Sequence, residues 1–424
     1  MLTLWGEQQK FCDGVTRRGF LKIGALGAAG LTLADLLRLR AQAGNASSNK
    51  ACIMIYLPGG PSHMDMYDLK PDAPSEFRGQ FKPIQTNVPG VQICEHFPMQ
   101  ARMWDKLACI RSLVTVNEHS DTMVMTGYPD RVNRMANHPS FGAVVSKVRS
   151  TSGDQGVPAF VSLRGSTRGT EPGFLGIAHR PFTPSGPGLN NLRLNRSMAV
   201  NLEDRRKLLS EFDTIRRDID ASGSMAGMDD ITARAFEMVT SGKILKALDL
   251  SREDPRVRDR YKGVERFLTA RRLIEAGCGV VTLAIGGWDT HSNNFKTLEK
   301  QLPQVDRAVA NLVQDLHDRG MDKDVSVVMW GEFGRTPRIN KNSGRDHWPQ
   351  VMSALIAGGG LKMGQAIGES TSRGERPKDR PISPSNVLST LYRAMGIDPS
   401  RTFNDPSGRP IYILDEREPV HELL

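Results

Sequence analysis

Residues 280–285, Val-Val-Thr-Leu-Ala-Ile, and residues 325–330, Val-Ser-Val-Val-Met-Trp, are short apolar runs separated by a long amphipathic stretch. In that stretch Phe295, Leu298, Leu302, Val305, Val309, Leu312 and Leu316 recur every three or four residues, the spacing of one apolar face of an α-helix. Runs this uniformly apolar read as strands buried on both faces. A strand, helix, strand order of such elements predicts an α/β layered sheet. Cys52–Leu57, Ala159–Leu163 and Met352–Ala357 share the same character and end in Gly, Pro or polar residues, so they extend the sheet. Reactive side chains are then expected at the carboxyl ends of the strands.

From about residue 180 to 262 the chain changes to Pro/Gly-rich coil followed by charged helical segments. This stretch is expected to be an insertion on a single domain spanning 44–424. Gly358-Gly359-Gly360 follows a strand but lacks the Gly-Lys-Ser/Thr of a phosphate loop, so it is expected to be a turn.

The 424-residue chain is 39% hydrophobic and 24% charged, which is globular composition. Its formal charge is +9, of which residues 1–43 supply six bases and three acids, leaving +6 for the rest. That excess lies among acids, as in Asp204-Arg205-Arg206, so a solvated surface is expected rather than a nucleic-acid partner. An anionic small molecule remains compatible with it.

Thr16-Arg17-Arg18-Gly19-Phe20-Leu21-Lys22 places an arginine pair before a glycine-rich apolar run, Ile23–Ala34, too short to span a bilayer stably. Ala41-Gln42-Ala43 offers a small-residue cleavage site. The segment resembles a twin-arginine (Tat) signal peptide over residues 1–43, which implies export in a folded state by the Tat translocase to the periplasm or beyond. Of five cysteines, Cys12 lies in this segment, and the other four are expected to be buried free thiols because Cys52, Cys109 and Cys278 sit in strand-like runs. No Cys-x-x-Cys pair offers a thiolate zinc site.

Three polar clusters flank the strands: Gly286-Gly287-Trp288-Asp289-Thr290-His291, Gly331-Glu332-Phe333-Gly334-Arg335-Thr336-Pro337 and Gly344-Arg345-Asp346-His347-Trp348-Pro349. Carboxylate with imidazole suits Zn²⁺, Mn²⁺ or Fe²⁺. Taken singly, each is explained as well by a turn-capping acid or a packed histidine; together, at strand ends, they predict a metal site. Two further clusters, Gly59–Asp65 and Asn117–Thr122, contribute His63 and His119 as candidate ligands or general acids.

The ordered motifs GGPSHMDMYDLKP (59–71), MTGYP (125–129), NHPSFGAVV (137–145), GGWDTH (286–291), GEFGRTPR (331–338) and GRDHWP (344–349) resemble family 1501 of the domains of unknown function. The resemblance spans essentially all of the chain beyond the signal. That family is grouped with the alkaline phosphatase and sulfatase superfamily, which implies a mixed sheet between helical layers and a metal centre at the strand ends. Superfamily members place a Ser, Thr or formylglycine-forming Cys ten positions before the glycine of a Thr-Gly pair. Here the pair is Thr126-Gly127 and the position holds Asn117, which cannot form a covalent ester intermediate. The first-strand aspartate of the second metal falls at Pro58 or Gly59, unless Asp65 reaches back, and Glu332-Phe333 stands where an Asp-His pair belongs. Asp289, His291 and His347 match ligands of the first metal.

The resemblance therefore implies one divalent metal, Zn or Mn, rather than two, held by Asp289, His291 and His347 with Glu332 as fourth ligand or base. An exported hydrolase of a phosphate or sulfate ester is expected, with metal-bound hydroxide as nucleophile and a small or polymeric anionic ester as substrate. Asn117 would donate to the oxyanion, His119 or Glu332 would take the proton, and Arg335 or Arg345 would hold a substrate oxygen. The alternative from another class is a catalytically degenerate member acting as a binding or scaffolding protein. Donor atoms of Asp289, His291 and His347 converging on one point and facing a cleft with an arginine favour the first, and Phe333 and Trp348 filling that point favour the second.

Overall fold

The computed structural model describes residues 49–149, 156–185, 238 and 241–424. The expected signal segment and most of the expected insertion lie outside these residues. Seven strands form one sheet: β1 Ala51–Tyr56, β2 Leu107–Leu113, β3 Phe160–Ser162, β4 Val280–Ala284, β5 Val325–Trp330, β6 Met352–Gly358 and β7 Gln365–Ile367. Their order across the sheet is β7-β2-β6-β5-β1-β4-β3. All neighbouring pairs are parallel except those of β6, which runs against both β2 and β5. The amino end of β6 therefore lies at the edge where the other six strands end, and the loops of every strand but β6 leave from that one rim.

Both faces of the sheet are covered, which is why the strands read as continuous apolar runs. All six residues of β1 are buried. Ile53, Ile55 and Leu57 face one core with Leu283, Val327 and Leu355, while Cys52, Met54 and Tyr56 face a second core with Val328, Trp330 and Ile356. The first core is closed by helices α3 Glu265–Glu275 and α4 Asn294–Asp318, and the second by α1 Thr122–Thr126, α2 Phe141–Arg149 and α5 Pro384–Ala394. In α4 the seven apolar residues singled out in the sequence are all at most 3% exposed. Each such side chain contributes about 1.5–3 kcal/mol on burial, enough to hold a helix that carries Pro303 in its interior.

The five expected strands form, and Val325–Trp330 has the expected ends. The strands β2 and β7 were not singled out: Arg111 and Ser112 interrupt the apolar run of β2, and β7 is only three residues long. At the described end of the expected insertion, helix Lys243–Leu248 buries Ile244 and Ala247 in the core that α3 and α4 close. Gly358, Gly359 and Gly360 all have positive φ and form a turn. Cys52, Cys94, Cys109 and Cys278 are free and buried. Among the described residues no helix is long and apolar enough to cross a membrane.

Candidate metal centre

Four loops meet at the rim. The loop after β1 carries Gly59 and Gly60, that after β2 carries Asn117 and His119, and that after β4 carries Asp289 and His291. The loop after β5 turns back through a two-residue antiparallel ladder that pairs Gly334 with Trp348 and Arg335 with His347. This ladder sets His347 above Asp289. Gly59 has φ +103°, and a Cβ there would lie 2.5 Å from the Asp289 backbone nitrogen, so only glycine lets the loops after β1 and β4 touch.

Three donor atoms form a nearly equilateral triangle. His347 Nε2 is 3.0 Å from Asp289 Oδ1, His291 Nε2 is 3.1 Å from the same oxygen, and the two Nε2 atoms are 3.1 Å apart. A tetrahedral zinc with bonds of about 2.0–2.1 Å separates its ligands by about 3.3 Å, so a cation of this size fits the set. His291 Nδ1 lies 2.6 Å from Asp346 Oδ1. With Nδ1–H donating to that carboxylate, the Nε2 lone pair is turned toward Asp289, the usual arrangement behind a metal-bound imidazole. The His291 Nε2 lone pair facing that carboxylate is repelled by it, and a cation between the two would remove the conflict.

The electrostatics agree. Burial alone would raise the Asp289 pKa, but hydrogen bonds from Arg335 and His347 outweigh it and hold the carboxyl well below the usual range. Burial lowers the His347 pKa, offset only in part by its bond to Asp289. The hydrogen bond with His291 lowers the Asp346 pKa. Beside the triangle, at Asp289, a cleft of about 400 Å³ opens, lined by Pro58, Gly59, His119, Gly287, Asp289, Thr290, Ser292 and Thr297.

Several expected roles need correction. Glu332 does not contribute to the triangle: Oε1 accepts from Gly59 N at 2.8 Å and lies 3.1 Å from His119 Nδ1, while Oε2 accepts from the Tyr56 hydroxyl at 2.9 Å. It stands one group behind the cluster, backing His119. Arg335 is not available to a substrate, because its side chain is fully buried and its guanidinium donates to the carbonyls of Gly60 at 3.0 Å and Arg345 at 2.9 Å, to Gly59 O and to Asp289. It fastens three rim loops together. Arg345 is likewise buried, paired through Nε and Nη2 with Asp65 at 2.8 and 3.0 Å, so Asp65 does not reach back to the cluster either. His63 is buried with Nε2 on the Gly374 carbonyl at 2.9 Å, away from the triangle.

Asn117 is exposed on the loop that carries His119. Phe333 lies under His347, ring centroids 4.3 Å apart, and Trp348 donates to the Glu375 carbonyl. Neither ring enters the triangle. Sequence reasoning passed over Asp346 as a partner of His291; the signal available was the acid directly before His347.

Residues 49–424 match a family described as protein of unknown function (DUF1501). The chain belongs to the DUF1501 family. A search of curated proteins finds no match to this DUF1501 chain. Among solved structures, it is similar to the PsFucS1 sulfatase from a Pseudoalteromonas species, at 12% identity over 86% of this chain and 70% of that one, with TM-score 0.39. It is also similar to the lipoteichoic acid synthase LtaP from Listeria monocytogenes, at 9% identity over 87% of this chain and 76% of that one, with TM-score 0.34. Identities this low and superpositions this loose leave the chemistry to the geometry of the DUF1501 site itself.

Proposed function

We propose that this DUF1501 protein is an exported hydrolase of a phosphate or sulfate ester that works with one divalent cation, Zn or Mn. The observation that carries the reading is the triangle of Asp289 Oδ1, His291 Nε2 and His347 Nε2 with edges of 3.0–3.1 Å beside an open cleft. A cation bound there would polarise an ester oxygen and acidify a water molecule, supplying the attack that Asn117 cannot make.

The chain's own residues do the rest. Asp289, His291 and His347 are the ligands, Asp346 fixes the His291 tautomer, and Arg335 holds Asp289 ionised and in place. Asn117 is the side chain we assign to a substrate oxygen, and the hydroxyls of Ser292 and Thr297 line the cleft where an alcohol leaving group would sit. A second cation lacks ligands, since Pro58 and Gly59 stand at the end of the first strand and Phe333 replaces an imidazole. The breadth of the cleft suits a small or polymeric anionic ester.

A second reading, a binding or scaffolding protein, is favoured by one observation: no Arg or Lys lines the cleft among the described residues. The two are separated by elemental analysis of the purified mature protein together with a panel of phosphate and sulfate esters. The hydrolase reading expects one transition metal per chain and turnover abolished in His347→Ala. Turnover unaffected in that variant, or no metal at all, overturns it. Export is tested by fractionation: Arg17→Lys with Arg18→Lys is expected to leave the protein in the cytoplasm, and unchanged export refutes the Tat route.

A further inference from the structure

We propose that His119 is a fourth protein ligand of the cation, positioned by Glu332, so that the centre consists of three imidazoles and one carboxylate. The proposal rests on the metal-dependent reading above and gives His119 a ligand's role in place of a proton carrier's. His119 rides on the loop after β2, which is tied down where Thr115 donates to the Glu332 carbonyl at 2.8 Å.

Glu332 is 1% exposed. Its carboxylate is oriented by the Gly59 N–H and the Tyr56 hydroxyl, and the remaining lone pairs of Oε1 point to His119 Nδ1 at 3.1 Å. An acceptor held this way receives a hydrogen bond from Nδ1–H, which leaves a lone pair on Nε2. That atom faces Asp289 Oδ2 at 3.7 Å. The donor atoms of His119, Asp289 and His347 all lie within 4.8 Å of one another, and the His119 ring meets that of His347 edge-on at 5.1 Å between centroids.

The arrangement repeats what happens at His291. In each case a carboxylate grips Nδ1, Asp346 for one ring and Glu332 for the other, and Nε2 is aimed at Asp289. The two rings address different oxygens of that aspartate, His291 at Oδ1 and His119 at Oδ2. His119 lines the cleft, and within it Nε2 is turned toward Asp289. Metal-ligating imidazoles are commonly backed in this way through the other ring nitrogen. Three nitrogen donors also select Zn²⁺ or Co²⁺ over Mg²⁺ or Ca²⁺, which prefer oxygen. Glu332 is then a positioning residue, the fixed backing of a ligand that arrives from a different loop.

The test uses the mature protein stripped with a chelator and reloaded with Zn²⁺ or Co²⁺. His119 is half exposed, so His119→Ala is expected to fold with an unchanged melting temperature in the metal-free state. Its Zn²⁺ affinity, read by competition with a chromophoric chelator, should fall at least a hundredfold, and the visible Co²⁺ bands should change in position and intensity. X-ray absorption should count two imidazoles in place of three. Glu332→Gln should keep one cation per chain, with affinity lowered about tenfold, the lower end for the loss of a ligand's backing group. Affinity within twofold of wild type in His119→Ala, with unaltered Co²⁺ bands, overturns the ligand role while leaving the hydrolase reading standing. A wild-type protein that takes up no cation overturns both.

Discussion

Removing the backing of His291 is the sharpest test of the triangle. Asp346 Oδ1 sits 2.6 Å from His291 Nδ1 and is itself reached by the Asn340 amide at 3.3 Å. Replacing a backing carboxylate lowers metal affinity by about 10–100-fold. Two features place Asp346→Asn at the lower end of that range. An asparagine keeps an oxygen that can accept the Nδ1 proton, and the Asp346 side chain is 53% exposed, so water screens much of its charge. The expected loss is about tenfold, or about 1.4 kcal/mol. Asp346→Ala loses the acceptor as well and should approach a hundredfold. The assay is chelator competition for Zn²⁺ at fixed pH and ionic strength, with the metal-free melting temperature as a control on folding. Wild-type affinity in both variants, or a larger loss in Asp346→Asn than in Asp346→Ala, would refute the tautomer argument.

Three further outcomes are expected. Burial would raise the Glu253 pKa, but hydrogen bonds from Arg272 and Arg271 bring it down to about 2. A lowered carboxyl stabilises the fold above its unfolded pKa of about 4.3 and gives that up as pH falls through the folded value, so up to about 3 kcal/mol should vanish between pH 5 and 2. Urea midpoints that fall equally steeply with pH in Glu253→Gln would disprove it. Gly59→Ala should cost about 2 kcal/mol or more in chemical denaturation, because φ is +103° and the new Cβ meets Asp289 at 2.5–3.0 Å; a neutral effect would show that the two loops can part. Leu302→Ala, at a fully buried site in α4, should cost about 2–5 kcal/mol, and the exposed Lys300→Ala almost nothing. Equal melting temperatures for that pair would contradict the amphipathic assignment of α4.

What the sequence made legible follows from what is local. Val325–Trp330 and the α4 stripe are set by the apolar character of neighbouring residues, and both appear in the structure where that pattern placed them. Asp289, His291 and His347 could be collected from strand-end motifs because a parallel sheet delivers such ends to one rim. The direction a side chain takes is not local. Arg335 and Arg345 were expected to face an anion, yet each points inward, because the rim loops leave carbonyls at Gly59, Gly60, Thr336 and Phe77 that need donors. Glu332 was expected at the metal and instead backs His119. That contact joins residues 213 positions apart and depends on Tyr56 and Gly59, at the end of a third strand, to orient the carboxylate.

Charge gives an independent reason for a single cation. Around the triangle the formal charges are those of Asp289, Glu332 and Asp346, set against that of Arg335, while Arg345 is cancelled by Asp65 and Arg164 by Asp121. With neutral imidazoles the balance is two negative charges, which one divalent cation cancels and two would overturn to the same extent. Charges crowded at 3–4 Å interact by several kcal/mol at an effective dielectric of about 20, so an excess of either sign at a half-buried rim is costly. The metal-free protein carries the uncompensated state, and one cation should therefore raise its melting temperature steeply up to one equivalent and no further. Two equivalents bound with similar affinity would show that the count omits a negative group, and the ligand assignment would have to be redrawn around it.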